Sequence, residues 1–179
     1  MSPRPAPDLA QRRDQVVRAA RDLAESDGWP AVTMRRLAGE LGVTQPVIYS
    51  AYASRQDVIN AVALSGFADV AEALEAVEAT PMARMRAYLD FTVAHPRVYE
   101  AMSSMPSGLR FASDDTPEPL KRAFSALGEV FPDADGTRAE IAWSTLHGLA
   151  TLQAGGRLRT SHAQARLDLA HRMLTQENS

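Results

Sequence analysis

The chain has 179 residues, 45% of them hydrophobic and 23% charged, with a formal net charge of −3. That size suits one large domain or a small module joined to a larger one, and the charge argues against a protein held to nucleic acid by bulk electrostatics. The absence of cysteine excludes disulfides, thiol catalysis and cysteine-bound metals, and no run nears the ~20 apolar residues of a membrane span.

The charge is unevenly spread. Residues 1–56 hold eight arginines against six acids, whereas the rest holds 11 basic residues against 16 acids. A basic head on an acidic body fits a DNA-reading module attached to a domain with another task. The opening residues MSPRPAPD are polar and proline-rich, with no apolar segment of the secretory type; a flexible arm over 1–8 and a cytoplasmic location are expected.

In chain order, residues 9–27 read as a helix with Val16, Ala19, Ala20 and Leu23 on its apolar stripe, ended by Gly28. Trp29 then reads as a plug between this helix and the next. Thr33 can cap a second helix carrying Met34, Leu37, Ala38 and Leu41, and Gly42 supplies its left-handed end. Thr44 opens a third, very short helix with Pro46 in its first turn, its hydroxyl expected to serve the cap. Ser54 and Asp57 form a capping box that starts a long helix to about Glu78. Helix, glycine turn and short helix over about 33–52 make a helix-turn-helix DNA reader. The head is therefore placed at 9–56 and the helical body at 57–179.

In the body, Thr80-Pro81 opens a helix that stops before His95-Pro96, and a short helix follows from Arg97 to about Ser104. Residues 105–116 read as a loop, Pro117 opens another helix, and two more run from Arg138 to about Ala154 and from Ser161 to about Thr175. Glu72, Glu75 and Glu78 look like one solvated helix face. The expected fold class is all-α, with about nine helices.

At ~100° per residue, Gln45 and Tyr49 share one face of the short helix, with Pro46 beside them, while Val43 and Ile48 point inward. Glutamine can pair both edge atoms of adenine, a proline ring can lie against a thymine methyl, and Arg35 can bind guanine in bidentate fashion. These three are the candidate base contacts. Tyr49 and Arg55 suit phosphate, and Thr33, Thr44 and Tyr52 join them. Arg36 reads equally as a phosphate anchor or a solvated charge.

Thr33, Leu37-Ala38, Leu41-Gly42-Val43, Tyr49, Tyr52 and Ser54-Arg55 together resemble the tetracycline-repressor-like (TetR) family of bacterial transcription regulators. Ala51 and Arg55 stand where that family often has a bulkier group and a lysine. The stretch 141–158, with Trp143, His147 and Gly148, and the segment YLDFTVAHPRVYEAM resemble the C-terminal domain of its Trp-His-Gly subgroup. The resemblance implies a homodimer formed through the last two long helices, double-stranded operator DNA as partner, and a small-molecule effector pocket in the body.

Tyr88, Phe91, Met102, Phe111, Trp143 and His147 are the candidate walls of a largely apolar effector pocket, although plain core is the favoured reading of each. The four histidines show no paired ligand spacing, so no metal site and no cofactor are expected. No nucleophile elbow or glycine-rich phosphate loop appears, so an enzyme is not expected. A helical small-molecule enzyme, or an adaptor whose helix-turn-helix no longer binds DNA, are the competing readings.

Overall fold

The computed structural model describes residues 8–103, 105, 113 and 115–176. Most of the expected arm, most of the 105–116 loop, and Phe111 lie outside them. Among the described residues there are nine α-helices and no strand. They are α1 (Leu9–Asp27), α2 (Met34–Glu40), α3 (Gln45–Ala51), α4 (Arg55–Glu75), α5 (Pro81–Ala94), α6 (Pro96–Ser103), α7 (Glu118–Val130), α8 (Thr137–Ala154) and α9 (Ala163–Thr175). Single 3-10 turns occupy Trp29–Ala31 and Thr160–His162.

Helix ends follow local chemistry. Asp8 caps α1 by accepting the Gln11 N–H at 2.7 Å, which takes it out of the expected arm. The hydroxyls of Thr33 and Thr80 accept from Arg36 and Ala83 N–H at 3.1 and 3.4 Å. Ser54 Oγ accepts the Asp57 N–H at 3.1 Å and donates to its carboxylate at 2.8 Å, fixing the start of α4. A fully buried Leu or Ile stabilises by about 1.5–3 kcal/mol, against about 1 kcal/mol for a cap. Packing therefore sets the stability, and the caps set where the helices begin.

Contacts divide the chain into two compact units, and the division differs from the sequence expectation of a head ending at 56. The first runs to Gly66 and also takes the segment starting at Arg97; the second holds the remainder. In the first, Val16, Val32, Leu37, Ile48, Val58, Ile59 and Val62 are wholly buried. α6 belongs here because its start is tied to α1. Pro96 has no N–H to satisfy, and the next two, of Arg97 and Val98, donate to the Glu25 carboxylate at 3.1–3.2 Å. Trp29 is buried and donates from Nε1 to the Arg97 main-chain oxygen at 2.9 Å, so it joins α6 as well as the α1–α2 link. Gly66 lets α4 approach α6 closely: a Cβ there would lie 2.6 Å from both Met102 Sδ and Val98 Cγ1.

In the second unit α5 packs against α7, α8 and α9, and α7 packs on α8. Leu74, Met85, Phe131 and Leu146 are fully buried there. Arg84 is also buried; it donates to the main-chain oxygen of Ala126 near the end of α7 and pairs with Glu129 at 2.7 Å. Glu75 is not part of a purely solvated acidic face as expected: it accepts a two-pronged pair from Arg122, with Arg122 Nε at 2.7 Å. α4 ends at Glu75, so Glu78 lies beyond it.

Candidate nucleic-acid interface

The turn between α2 and α3 determines how α3 is presented. Gly42, at φ +63°, donates to Gly39 O at 3.1 Å, while Val43 donates to Ala38 O at 2.9 Å. This Schellman closure satisfies two carbonyls at the end of α2 and needs the left-handed residue that glycine supplies. α3 then buries Ile48 and Ala51 against α1 and α2, with Val43 and Val47 half-buried. Gln45, Pro46 and Tyr49 lie on the opposite, exposed side, as does Arg35 at the start of α2.

Thr44 departs from expectation. Its hydroxyl makes no capping bond. An N-cap side chain serves the N–H two or three residues on. Here the first of those is Pro46, which has none, and the second, Val47, donates to the Thr44 main-chain oxygen at 3.0 Å. The exposed hydroxyl therefore remains available to a ligand. Thr33 is also exposed; its oxygen is used as a cap acceptor, but its O–H can still donate.

Arg55 is engaged within the head: its Nε and Nη2 each donate at 2.7 Å, to the carbonyls of Val32 and Trp29. The cation thus fastens the start of α4 to the turn before α2. Arg36 bridges Asp27 at 2.8 Å and Glu40 at 3.3 Å, so its charge is already compensated. Tyr52 is half-buried, and burial raises its phenol above the ordinary 10.0, with the positive charge of Arg13 opposing and Asp14 reinforcing the shift. It remains a neutral O–H donor at physiological pH.

The sequence singled out neither Arg13 nor Glu25. Arg13 Nε donates to Ala51 O at 3.1 Å, and its guanidinium lies 5.9 Å from the centre of the Tyr52 ring. No local pattern reveals such a contact, because its acceptor is 38 residues away.

Of the six candidate pocket residues, Phe111 lies outside the described residues and the other five are spread over the two units. Tyr88 and Phe91 are buried on α5 in the second unit, where Trp143 and His147 are half-buried on α8. The Trp143 ring meets Phe124 edge-on, with centroids 6.4 Å apart. Met102 belongs to the first unit, at Gly66. No group of three or more potential metal-ligating side chains occurs among the described residues.

Residues 16–62 match the family model of bacterial regulatory proteins of the tetR family, and residues 82–176, more than half of the chain, match the tetracyclin repressor-like C-terminal domain. The chain belongs to the TetR family. It is a DNA-binding transcriptional regulator, and its head is the TetR helix-turn-helix. It is 28% identical over 159 residues to the uncharacterized HTH-type transcriptional regulator Rv0681 of Mycobacterium tuberculosis, covering 80% of this chain and 71% of that one. A protein of unknown function from Rhodococcus sp. RHA1 is 26% identical with a TM-score of 0.69, over 98% of this chain and 100% of that one. A TetR variant from Acinetobacter baumannii AYE in complex with minocycline shares the fold at 16% identity and a TM-score of 0.63, over 89% and 91% of the two chains. Among the described residues of this TetR-family chain, no helix is long and apolar enough to cross a membrane.

Proposed function

We propose that this regulator is a homodimeric, cytoplasmic repressor of a palindromic operator, released by a largely apolar small molecule and catalysing no reaction. The observation that carries the reading is the face of α3: Gln45, Pro46 and Tyr49 are exposed over a buried Ile48, beside an uncapped Thr44 hydroxyl. Gln45, Pro46 and Arg35 contact bases; Thr33, Thr44, Tyr49 and Tyr52 contact phosphate. Two such helices enter successive major grooves about 34–36 Å apart.

Dimerisation is supported by exposed apolar side chains on α8 and α9. Ile141 and Leu152 are eleven residues apart, three helical turns, and Leu169 and Met173 are one turn apart. A second copy covering this face would form a four-helix bundle. Tyr88, Phe91, Trp143 and His147 supply the aromatic walls of the effector site, and the minocycline complex of a distant relative of the same fold supports a small-molecule effector. The effector acts through its differential affinity for operator-competent and operator-released states.

The test is selection of duplexes from a random-sequence pool by the full chain, followed by footprinting and sedimentation. A palindromic consensus bound by one dimer is expected. Replacing Arg35 or Gln45 by Ala should relax the preference at one base pair per half-site, at about 1–3 kcal/mol. A non-palindromic site bound by a monomer, or unchanged base preference in both variants, would overturn the reading.

A further inference from the structure

Arg55 is tied to carbonyls and Arg36 to two acids, and a further cation stands at the C-terminal end of the reading helix. Arg13, at the start of the second turn of α1, is exposed, and only its Nε is used, on Ala51 O at 3.1 Å. Its two Nη groups have no hydrogen-bond or ion-pair partner among the described residues. Two other cations of α1 are differently placed: Arg12 donates to Gln15 at 3.1 Å and Arg21 to Ser65 at 3.0 Å.

We infer that Arg13 is a DNA-phosphate contact at the C-terminal end of α3, positioned before DNA arrives. The inference rests on the head being docked through α3. Three physical arguments lead to it.

The last carbonyls of a helix carry partial negative charge, so a phosphate approaching Ala51 is repelled unless a cation stands between. Arg13 occupies that place. A guanidinium whose Nε is used still presents its two Nη groups, and charge-assisted bonds from these to phosphate oxygens are short and strong. Finally, the Nε bond and the ring of Tyr52 restrict the side chain, so less freedom is lost when phosphate binds. Tyr52 adds its own O–H at the same end. The neighbouring Asp14, close enough to act on Tyr52, opposes a phosphate and reduces the net attraction at this end.

The experiment uses the full chain and two probes: a duplex it selects from a random-sequence pool, and an unrelated duplex of equal length. Binding is measured across a salt series for the wild type, Arg13→Ala and Arg13→Lys, with Arg157→Ala as a control for net charge. Loss of one phosphate contact lowers the slope of log affinity against log salt by about 0.9 per subunit. Arg13→Ala should show that loss and weaken both duplexes by the same factor, about tenfold. Arg13→Lys should keep the slope and recover part of the affinity, and Arg157→Ala should match the wild type.

An unchanged slope for Arg13→Ala, or a loss confined to the selected duplex, would make Arg13 a support of α3 and overturn the inference. Should Arg13→Ala fold poorly, ethylation interference with Arg13→Lys decides the matter. A phosphate whose ethylation hinders both the wild type and this variant, at the end of each half-site next to α3, supports the contact, and its absence from the wild-type pattern removes it. If the wild-type chain selects no duplex at all, the proposed operator reading fails, separately from the role of Arg13.

Discussion

Trp29 and Arg97, 68 residues apart, are joined through the indole N–H, which donates to the Arg97 main-chain oxygen at 2.9 Å. The N–H of the same Arg97 donates to Glu25 on α1. Replacing Trp29 with Phe removes the donor, strands that carbonyl and leaves the pocket of a larger ring underfilled. A loss of about 1–3 kcal/mol is expected, read as a lower urea midpoint at constant m. An unchanged midpoint would mean that the bond contributes nothing.

Gly66 should resist enlargement. A methyl group there meets Val98 Cγ1 on a β-branched side chain that cannot swing away, and overpacking costs about 1–3 kcal/mol. The gain in helix propensity, about 1 kcal/mol, only partly offsets it. Gly66→Ala is therefore destabilising, and Val98→Ala should relieve it. In a double-mutant cycle, additive effects would show that the two positions do not collide.

The two threonines of the reader, both proposed phosphate contacts, should differ in what they do for stability. Thr33→Ala removes a working cap and should lower stability by about 1 kcal/mol. Thr44→Ala removes a hydroxyl that caps nothing, so its stability should stay within about 0.5 kcal/mol while duplex affinity falls. Thermal melts and gel shifts on both variants test this, and the reverse pattern would overturn it.

Arg55→Gln should behave as a folding variant. It loses the donors that satisfy the carbonyls of Trp29 and Val32, at about 1–3 kcal/mol, while the salt slope of DNA binding stays at the wild-type value. A flattened slope would restore the phosphate role that the sequence suggested.

The Glu75–Arg122 pair makes a prediction about pH. The bond from Arg122 is the main cause holding the Glu75 carboxyl below its ordinary 4.5. A folded pKa lower than the unfolded one contributes stability that is fully present above the unfolded value and is lost as pH falls through the folded value. The pair should thus survive any pH above about 4.5 and weaken only below it. Arg122→Gln should return the Glu75 titration, followed by carbon NMR, to the ordinary range; equal titration in the two proteins would refute the coupling.

Features encoded within a turn or two of chain were legible in the sequence. Thr33, Gly42, Ser54 and Thr80 mark helix ends because each acts on N–H or carbonyl groups a few residues away. The same local reasoning misjudged Thr44, since it overlooked that Pro46 removes one capping donor and the main chain takes the next. The faces of α3 followed from helical periodicity. The task of Arg55 did not, because its acceptors lie 23 and 26 residues earlier and become neighbours only after folding. The placement of Arg13 at Ala51 and of Glu25 at α6 was hidden for the same reason.

The clasp of Glu25 and Trp29 on α6 has a bearing on how such regulators are recombined. A chimaera that exchanged only the first 56 residues with a relative would pair a foreign α1 with this chain's α6. The N–H groups of Arg97 and Val98 would then look for a carboxylate that the donor sequence need not provide, and the Arg97 carbonyl for an indole. A transplantable reader is therefore discontinuous in sequence, and α6 has to travel with it.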